Sequence, residues 1–132
     1  MKREILYRGK CVETGKWFYN SLLVINKDYY IADCGLNGWV NGVYSFNVRW
    51  IRVFPETLGQ YTGLKDRNGV MVFENDILQD DLGTIGVVVF RQGRFMSDFY
   101  GRTHYYELHL DAETSEVIGN LTDNPDLLKE TA

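Results

Sequence analysis

The sequence is poor in proline, in cysteine and in long apolar runs. Only two prolines and two cysteines occur among its 132 residues. No apolar run approaches the roughly 20 residues that span a bilayer as a helix, and the N-terminal residues lack the apolar segment of a signal peptide. Because 45% of the residues are apolar, disorder of most of the chain is also excluded. We therefore expect a folded, cytosolic chain without a membrane-spanning helix.

The two cysteines, Cys11 and Cys34, carry no recognisable redox or metal-binding motif. They form no CxxC pair, and the chain has no third cysteine. Without a secretion signal, two reduced thiols that pack as small hydrophobic residues are the favoured interpretation. A disulfide between them stays open as the alternative.

The charge balance is acidic, with 14 Lys and Arg against 18 Asp and Glu and a formal net charge of −4. Proteins that bind nucleic acid by neutralising phosphates are usually basic or carry a basic face. A nucleic-acid-binding β-barrel module therefore remains the alternative function, and it requires a local patch of arginines. The residues available for such a patch are Arg49, Arg52, Arg91, Arg94 and Arg102.

Apolar and polar residues alternate with a period of two along most of the chain, as is typical of β-strands. The clearest instance is residues 43–54, where Tyr44, Phe46 and Trp50 share one parity and hence one strand face. This segment of 12 residues is about twice the usual strand, which predicts a bend, a bulge or two strands. Clusters of Gly, Asn and Asp predict turns at 26–28, 35–38 and 66–69.

The segment around Pro55 interrupts the strand pattern, because proline cannot donate a ladder hydrogen bond. We expect an N-terminal β-meander over residues 1–57 and a C-terminal barrel region over residues 58–132, or one continuous core. A cap residue before proline, Asn124-Pro125, predicts a short C-terminal helix. The predicted fold is mainly β: a small SH3-like or irregular β-barrel with an N-terminal β-meander and that helix.

Residues with catalytic or metal-binding chemistry are scattered. His104 and His109 lie on opposite faces of any one regular strand, and neither cysteine nor any serine has a nucleophile motif around it. Glu74, Asp76 and Asp80 could hold a divalent ion, although turn chemistry explains such acids well. The sequence therefore predicts no enzyme, no metal and no cofactor, with a metal-dependent hydrolase on these three acids as a distant alternative.

The aromatic residues are the remaining candidates for a binding surface, with 19 Phe, Trp and Tyr in a small β-protein. A face carrying Tyr44, Phe46 and Trp50 could stack single-stranded bases or anchor a protein partner. The competing interpretation is that this face is the core. We take these three residues as the candidate partner-contact residues, for a second copy of the chain or for another protein.

Four motifs mark a family resemblance: GQYTGLKDRNG at residues 59–69, VFENDI at 72–77, GVVVF with GRF at 86–95, and EVIGNL followed by NPDLL at 116–128. Together they resemble the YopX family of small proteins encoded by bacteriophages and prophages. One departure is Asn75, where the family usually has glycine. Because asparagine tolerates a left-handed backbone next best after glycine, we expect the turn to survive.

The resemblance implies a mostly β fold, a phage or prophage origin and a location in the host cytoplasm. It brings no established activity and therefore no functional residues. We expect a non-enzymatic binding or adaptor protein that forms a homo-oligomer and contacts a host or phage protein. Nucleic acid is a further partner that the net charge disfavours, and no membrane partner is expected.

Overall fold

The computed structural model describes residues 4–40, 42–99 and 106–129. The chain divides into two compact units, one formed by Ile5–Gln60 and one by the residues from Tyr61 onward. The predicted division after residue 57 lies just before the strand Gly59–Lys65, within which the two units part. None of the helices in the described ranges is long and apolar enough to cross a membrane.

The first unit contains a hairpin and a three-stranded meander. Its strands are β1 (Tyr7–Lys10), β2 (Trp17–Asn20), β3 (Leu22–Ile25), β4 (Asp28–Val40) and β5 (Val43–Val53). β1 pairs with β2, and also with Gly59 and Gln60 at the start of the next strand. The meander has the order β3-β4-β5. Its first turn lies at Asn26 and Lys27, which have φ angles of 50° and 70°, as the sequence predicted.

A close approach between β1 and β5 shapes the core of the first unit. Ile31 and Val53 are buried there, and a Cβ added to Gly9 would lie 2.8 Å from the Cγ2 of Val53. A 3-10 turn, Pro55–Thr57, follows β5. The hydroxyl of Thr57 accepts a hydrogen bond from the Lys10 backbone N–H at 2.9 Å and donates one to the carbonyl of Phe54 at 2.6 Å. This turn therefore ties the end of β5 to β1.

The second unit is built around a five-stranded antiparallel sheet. Its elements are β6 (Gly59–Lys65), β7 (Met71–Phe73), β8 (Asp76–Gln79), β9 (Ile85–Arg91), β10 (Arg94–Phe99), β11 (Tyr106–Glu107), α1 (Leu108–Ala112), β12 (Glu116–Asn120) and α2 (Asp126–Lys129). The sheet order is β11-β10-β9-β8-β12, and the later part of β6 pairs with β7.

The core of this unit lies against the middle of that sheet. It consists of Val72, Leu78, Val88, Phe99, Leu108 and Ala112. Residues 85–88 of β9 are all buried, as expected of a strand with apolar residues at both parities. Gly86 lets Phe99 of the neighbouring strand lie flat on it, since an added Cβ would lie 2.5 Å from the phenyl Cδ2.

The prediction of a mainly β fold with a short C-terminal helix is confirmed. The strands form three antiparallel sheets, and α2 begins directly after the predicted cap residues. The described residues do not form the predicted barrel, because their sheets do not close on themselves. Closure requires that each strand pair on both sides, whereas β3, β5, β11 and β12 lie at the outer positions of their sheets.

Two local predictions were wrong. The turn predicted at residues 35–38 lies inside β4, which continues to Val40 because β5 pairs with it along that length. The alternation of apolar and polar residues over 104–110 predicts a strand there, but β11 ends at Glu107, where α1 begins and places the buried Leu108 in the core. The start of that predicted strand, residues 104 and 105, lies outside the described residues.

We predict that Gly86→Ala destabilises the protein by about 1–3 kcal/mol, because the new methyl group overpacks the core against Phe99. The double-mutant cycle with Phe99→Leu isolates this contact. Gly86→Ala should cost less in the Phe99→Leu background than in the wild type, measured by urea unfolding. Equal costs in both backgrounds would show that Phe99 is not the obstacle.

Candidate interaction surface

The outer part of the β4–β5 hairpin is a two-stranded ribbon, formed by residues 32–40 and 43–51. β3 pairs with β4 only from Asp28 to Ile31, whereas β4 and β5 stay paired as far as Val40 and Val43. Beyond Ile31, therefore, the described residues contribute no third strand to this sheet.

A bulge in β4 keeps β5 regular along the ribbon. The β4–β5 register shifts between Leu36 and Gly38, which stand opposite Phe46 and Ser45. β4 therefore carries one more residue than β5 at this point, as in a β-bulge. The segment 43–54, in which a bend, a bulge or two strands were expected, forms one strand that ends at Val53, and the bulge lies in its partner strand β4.

Apolar side chains stand uncovered on one face of β5. Val48 is 39% exposed and Trp50 is 42% exposed, and as alternate residues of one strand they share a face. Their cross-strand neighbours on that face are Cys34 and Ala32. Trp50 is therefore a candidate partner-contact residue with a solvent-accessible indole, and it does not belong to the core of the described unit.

The other two candidate contact residues, Tyr44 and Phe46, occupy backbone positions of the same parity on β5. Their side chains lie outside what the structure describes. The ribbon thus brings the three predicted residues onto one strand with one parity, and it tests the exposure of Trp50 alone.

A pocket of about 190 Å³ lies at the base of the ribbon, beside Trp50. It is lined by Cys11, Val12, Glu13, Trp50, Ile51 and Arg52. The Thr14 hydroxyl lowers the pKa of the Cys11 thiol, and backbone N–H groups of Thr14 and Glu13 act in the same direction against the effect of burial.

Cys11 is buried and Cys34 is exposed, both as free thiols. The expectation that both pack as small hydrophobic residues thus fits Cys11 and is wrong for Cys34, which lies on the ribbon.

Most of the arginines considered for a basic patch have carboxylate partners. Arg49 pairs with Asp33, and Arg52 pairs with Asp28 at 3.1 Å. In the second unit, Arg94 pairs with Glu107 at 2.9 Å, and Arg91 donates to the carbonyl of Phe90. Arg102 lies outside the described residues. Exposed pairs of this kind contribute about 0–1 kcal/mol to stability, but they offset the positive charge that phosphate recognition needs.

Two of the three acidic residues considered for a metal site, Asp76 and Asp80, accept hydrogen bonds from turn backbone. Asp76 is buried and accepts the Phe73 backbone N–H at 2.7 Å. Asp80 accepts the N–H groups of Leu82 at 3.0 Å and Thr84 at 2.9 Å. Among the described residues, no group of three or more His, Cys, Asp and Glu could hold a metal ion. The hydrolase alternative on Glu74, Asp76 and Asp80 thus lacks the convergent geometry it requires.

The two histidines do not form a site in the described part of the chain. His109 is exposed, and its Nδ1 lies 3.6 Å from Glu107 Oε2. It lines an open pocket of about 320 Å³ with Arg94, Phe95 and Glu107. His104 lies outside the described residues. The charged groups of this pocket are paired with one another.

The carboxylate of Asp66 organises the GQYTGLKDRNG segment. Its Oδ1 accepts the N–H groups of Asn68 at 2.8 Å and Val70 at 2.9 Å, and its Oδ2 accepts the N–H of Val117 in β12 at 2.9 Å. Burial by itself raises the pKa of Asp66, but these three N–H groups and the charge of Arg67 outweigh it, so that the pKa lies below its usual value. One side chain thus closes the loop and joins it to β12.

The departure at Asn75 leaves the turn between β7 and β8 intact. Asn75 has a φ of 75°, which is the left-handed conformation that glycine and asparagine adopt most readily. Its N–H donates to the carbonyl of Val88 at 2.9 Å, and its carbonyl accepts the N–H of Leu121 at 3.0 Å. The motif residues in this region thus serve backbone geometry, as the sequence predicted.

The fold and these contacts define a small, mainly β protein of two compact units, with an uncovered apolar strand face on the first. The chain belongs to the YopX protein family, whose model matches residues 6–129. The family resemblance is thereby confirmed and extends into the N-terminal unit.

Comparison with solved structures shows the fold again. The crystal structure of protein EF1440 from Enterococcus faecalis is similar, with a TM-score of 0.69 and 24% sequence identity, over 96% of this chain and 99% of that chain. Comparison with curated proteins yields no match.

We predict that Asp66→Asn lowers the free energy of unfolding by about 2 kcal/mol at pH 7, because an amide cannot replace a carboxylate that accepts three N–H groups. Since the folded-state pKa of Asp66 is lowered, its contribution is present above the unfolded-state pKa of about 4 and is lost as the pH falls through the folded-state pKa. Urea unfolding from pH 7 down to pH 3 should therefore show the wild-type and variant stabilities converging in acid.

Asp81→Asn is the matched control, since Asp81 is exposed and pairs with Arg67 at 2.7 Å. We expect this variant to lose less than about 1 kcal/mol. An Asp66→Asn variant as stable at pH 7 as the Asp81→Asn variant would contradict the assigned role of Asp66.

Proposed function

We propose that this protein is a non-enzymatic binding or adaptor protein that acts through protein–protein contacts made by the ribbon. The observation that carries the proposal is the 42% exposure of Trp50 in the interior of a long regular strand. Tryptophan is among the residues that contribute most to protein–protein affinity when a partner covers them.

The composition of the surrounding surface supports contact with a protein. Val48 and Cys34 stand opposite each other beside Trp50 and are exposed as well. Two charges on neighbouring positions of β5, Arg49 and Arg52, are offset by Asp33 and Asp28. A largely apolar centre with a polar, charge-balanced border is typical of protein interfaces.

A phage or prophage origin and a location in the cytoplasm of the bacterial host belong to the same proposal. Both rest on the family resemblance. The partner under this proposal is another protein chain, either a second copy of this protein or a protein of the host or phage.

We predict that Trp50→Ser lowers the affinity for such a partner at least about tenfold, because an anchor tryptophan contributes 2 kcal/mol or more at an interface. The measurement is capture from a phage-infected host lysate on immobilised wild-type protein, followed by titration of the captured and purified partner.

Phe90→Ser is the matched control. Phe90 is 47% exposed, so the change removes an equally accessible aromatic residue from a different strand of the other unit. Capture that is lost with Phe90→Ser and retained with Trp50→Ser would place the binding surface elsewhere. Circular dichroism on both variants excludes unfolding as the cause.

A further inference from the structure

We infer that the ribbon pairs with the ribbon of a second copy of this chain, through antiparallel hydrogen bonding of β5 to β5 across a two-fold axis at Asn47. The inference rests on the proposed function, because it names the partner of the same surface. It is carried by the direction of the backbone groups on the outer edge of β5, by the length of that edge and by the residue types that the pairing brings together.

The backbone groups of the even-numbered residues of β5 point away from β4. At the base of the strand, the carbonyl of Arg52 accepts the N–H of Val12 at 3.1 Å, and the N–H of Phe54 donates to the carbonyl of Lys10 at 3.0 Å. Both bonds lie on the side of β5 opposite to β4. Because backbone direction alternates along a strand, the N–H and C=O groups of Phe46, Val48 and Trp50 face the same way, as do those of Tyr44.

Among the described residues, no strand pairs with this outer edge along most of its length. Cys11 and Val12, which follow β1, pair only with the base of β5. The contacts are the bridge between Cys11 and Val53 and the hydrogen bond from the N–H of Val12 to the carbonyl of Arg52. From Val43 to Ile51, β5 is the outer strand of its sheet in the described chain. An edge that is long, regular and apolar is a template for another strand.

One register uses the whole open edge. Two copies of residues 43–51 overlap fully only when Asn47 stands opposite Asn47 of the second copy. Phe46 is then opposite Val48, and Tyr44 is opposite Trp50, all as hydrogen-bonded pairs of residues whose backbone groups point outward. The three candidate contact residues of the sequence analysis thereby lie in one continuous face of a six-stranded sheet.

The charges favour this register over one with its axis at Arg49. With the axis at Asn47, Arg49 stands opposite Ser45, and no two like charges face each other. A shift of the axis to Arg49 would place Arg49 directly opposite Arg49, which is destabilising between paired strands. With the axis at Trp50, Val48 would have to pair with Arg52, whose carbonyl already accepts the N–H of Val12.

The marginal stability of a two-stranded ribbon also favours a second copy of the chain as the partner. An isolated pair of strands is at best marginally stable in water, and a third strand makes such a sheet stable. A second copy supplies that strand to both ribbons at once, through the self-complementary contact that two-fold symmetry requires.

Backbone substitution at the edge gives the first test. Val48→Pro removes an N–H that points away from β4, so the β4–β5 ladder keeps its hydrogen bonds. We expect the wild type to sediment as a dimer and Val48→Pro to raise the dimer dissociation constant at least about tenfold. Val48→Thr, which keeps the N–H, should remain a dimer. Circular dichroism of both variants checks that the fold is retained.

Disulfide trapping tests the register itself, in a Cys34→Ser background that removes the exposed native thiol. Residues 47 of the two copies form a non-hydrogen-bonded pair with a Cα separation of about 4.5 Å, within the range of a disulfide. Asn47→Cys should therefore cross-link on mild oxidation. Arg49→Cys is the matched control, because four strand positions, about 13 Å, separate it from its counterpart.

The outcomes separate the inference from the proposed function. A dimer that cross-links through residue 47 and not through residue 49, and that Val48→Pro dissociates, supports the pairing. Equal cross-linking at both positions, or a strict monomer at high concentration, overturns it. If a monomeric wild type still captures a different protein and Trp50→Ser abolishes the capture, the proposed function stands and the inference fails.

Discussion

Backbone hydrogen bonding between antiparallel neighbours is the interaction on which both units depend. Each unit is small, so apolar burial offsets the cost of ordering its chain only narrowly. Strand pairing keeps the buried backbone groups satisfied while the apolar faces are covered. In the five-stranded sheet this holds for the first part of the central strand β9, where residues 85–88 are buried on both faces and the strand has a neighbour on each side. β5 is the contrasting case, because it is paired with β4 from end to end, whereas the described residues pair with its other edge only at the base.

The side chain of Asp66 extends this constraint to the loops. The loop after β6 and the first part of β12 present three N–H groups to one carboxylate. Satisfying them with a single anion allows the loop to approach β12 without buried unpaired donors. This family motif therefore fixes the conformation of the backbone. The left-handed conformation of Asn75 supports the same interpretation. The motif region is the scaffold of the molecule, and the uncovered surface lies in the other unit.

Local sequence signals predicted the elements that local chemistry decides. The turn at Asn26 and Lys27, the turn at Asn75 and the helix after Asn124-Pro125 follow from backbone preferences of a few residues. The turn predicted at residues 35–38 was wrong because a neighbouring strand held those residues extended, and a bulge absorbed the extra one. The helix α1 was missed because Leu108 is placed by the core it fills and not by a cap signal, since Glu107 makes no capping side-chain hydrogen bond.

For the candidate surface, the sequence alone determined that Tyr44, Phe46 and Trp50 share one parity of one strand, because side chains of a strand alternate by geometry. It left two interpretations of that face, the core or a contact surface. Only the tertiary structure excluded Trp50 from the core, since exposure depends on which strands pack over a face, and such contacts join residues far apart in sequence. The same holds for the open edge of β5: alternation defines which backbone groups share a side, and the packing of the whole unit decides whether another strand already occupies it.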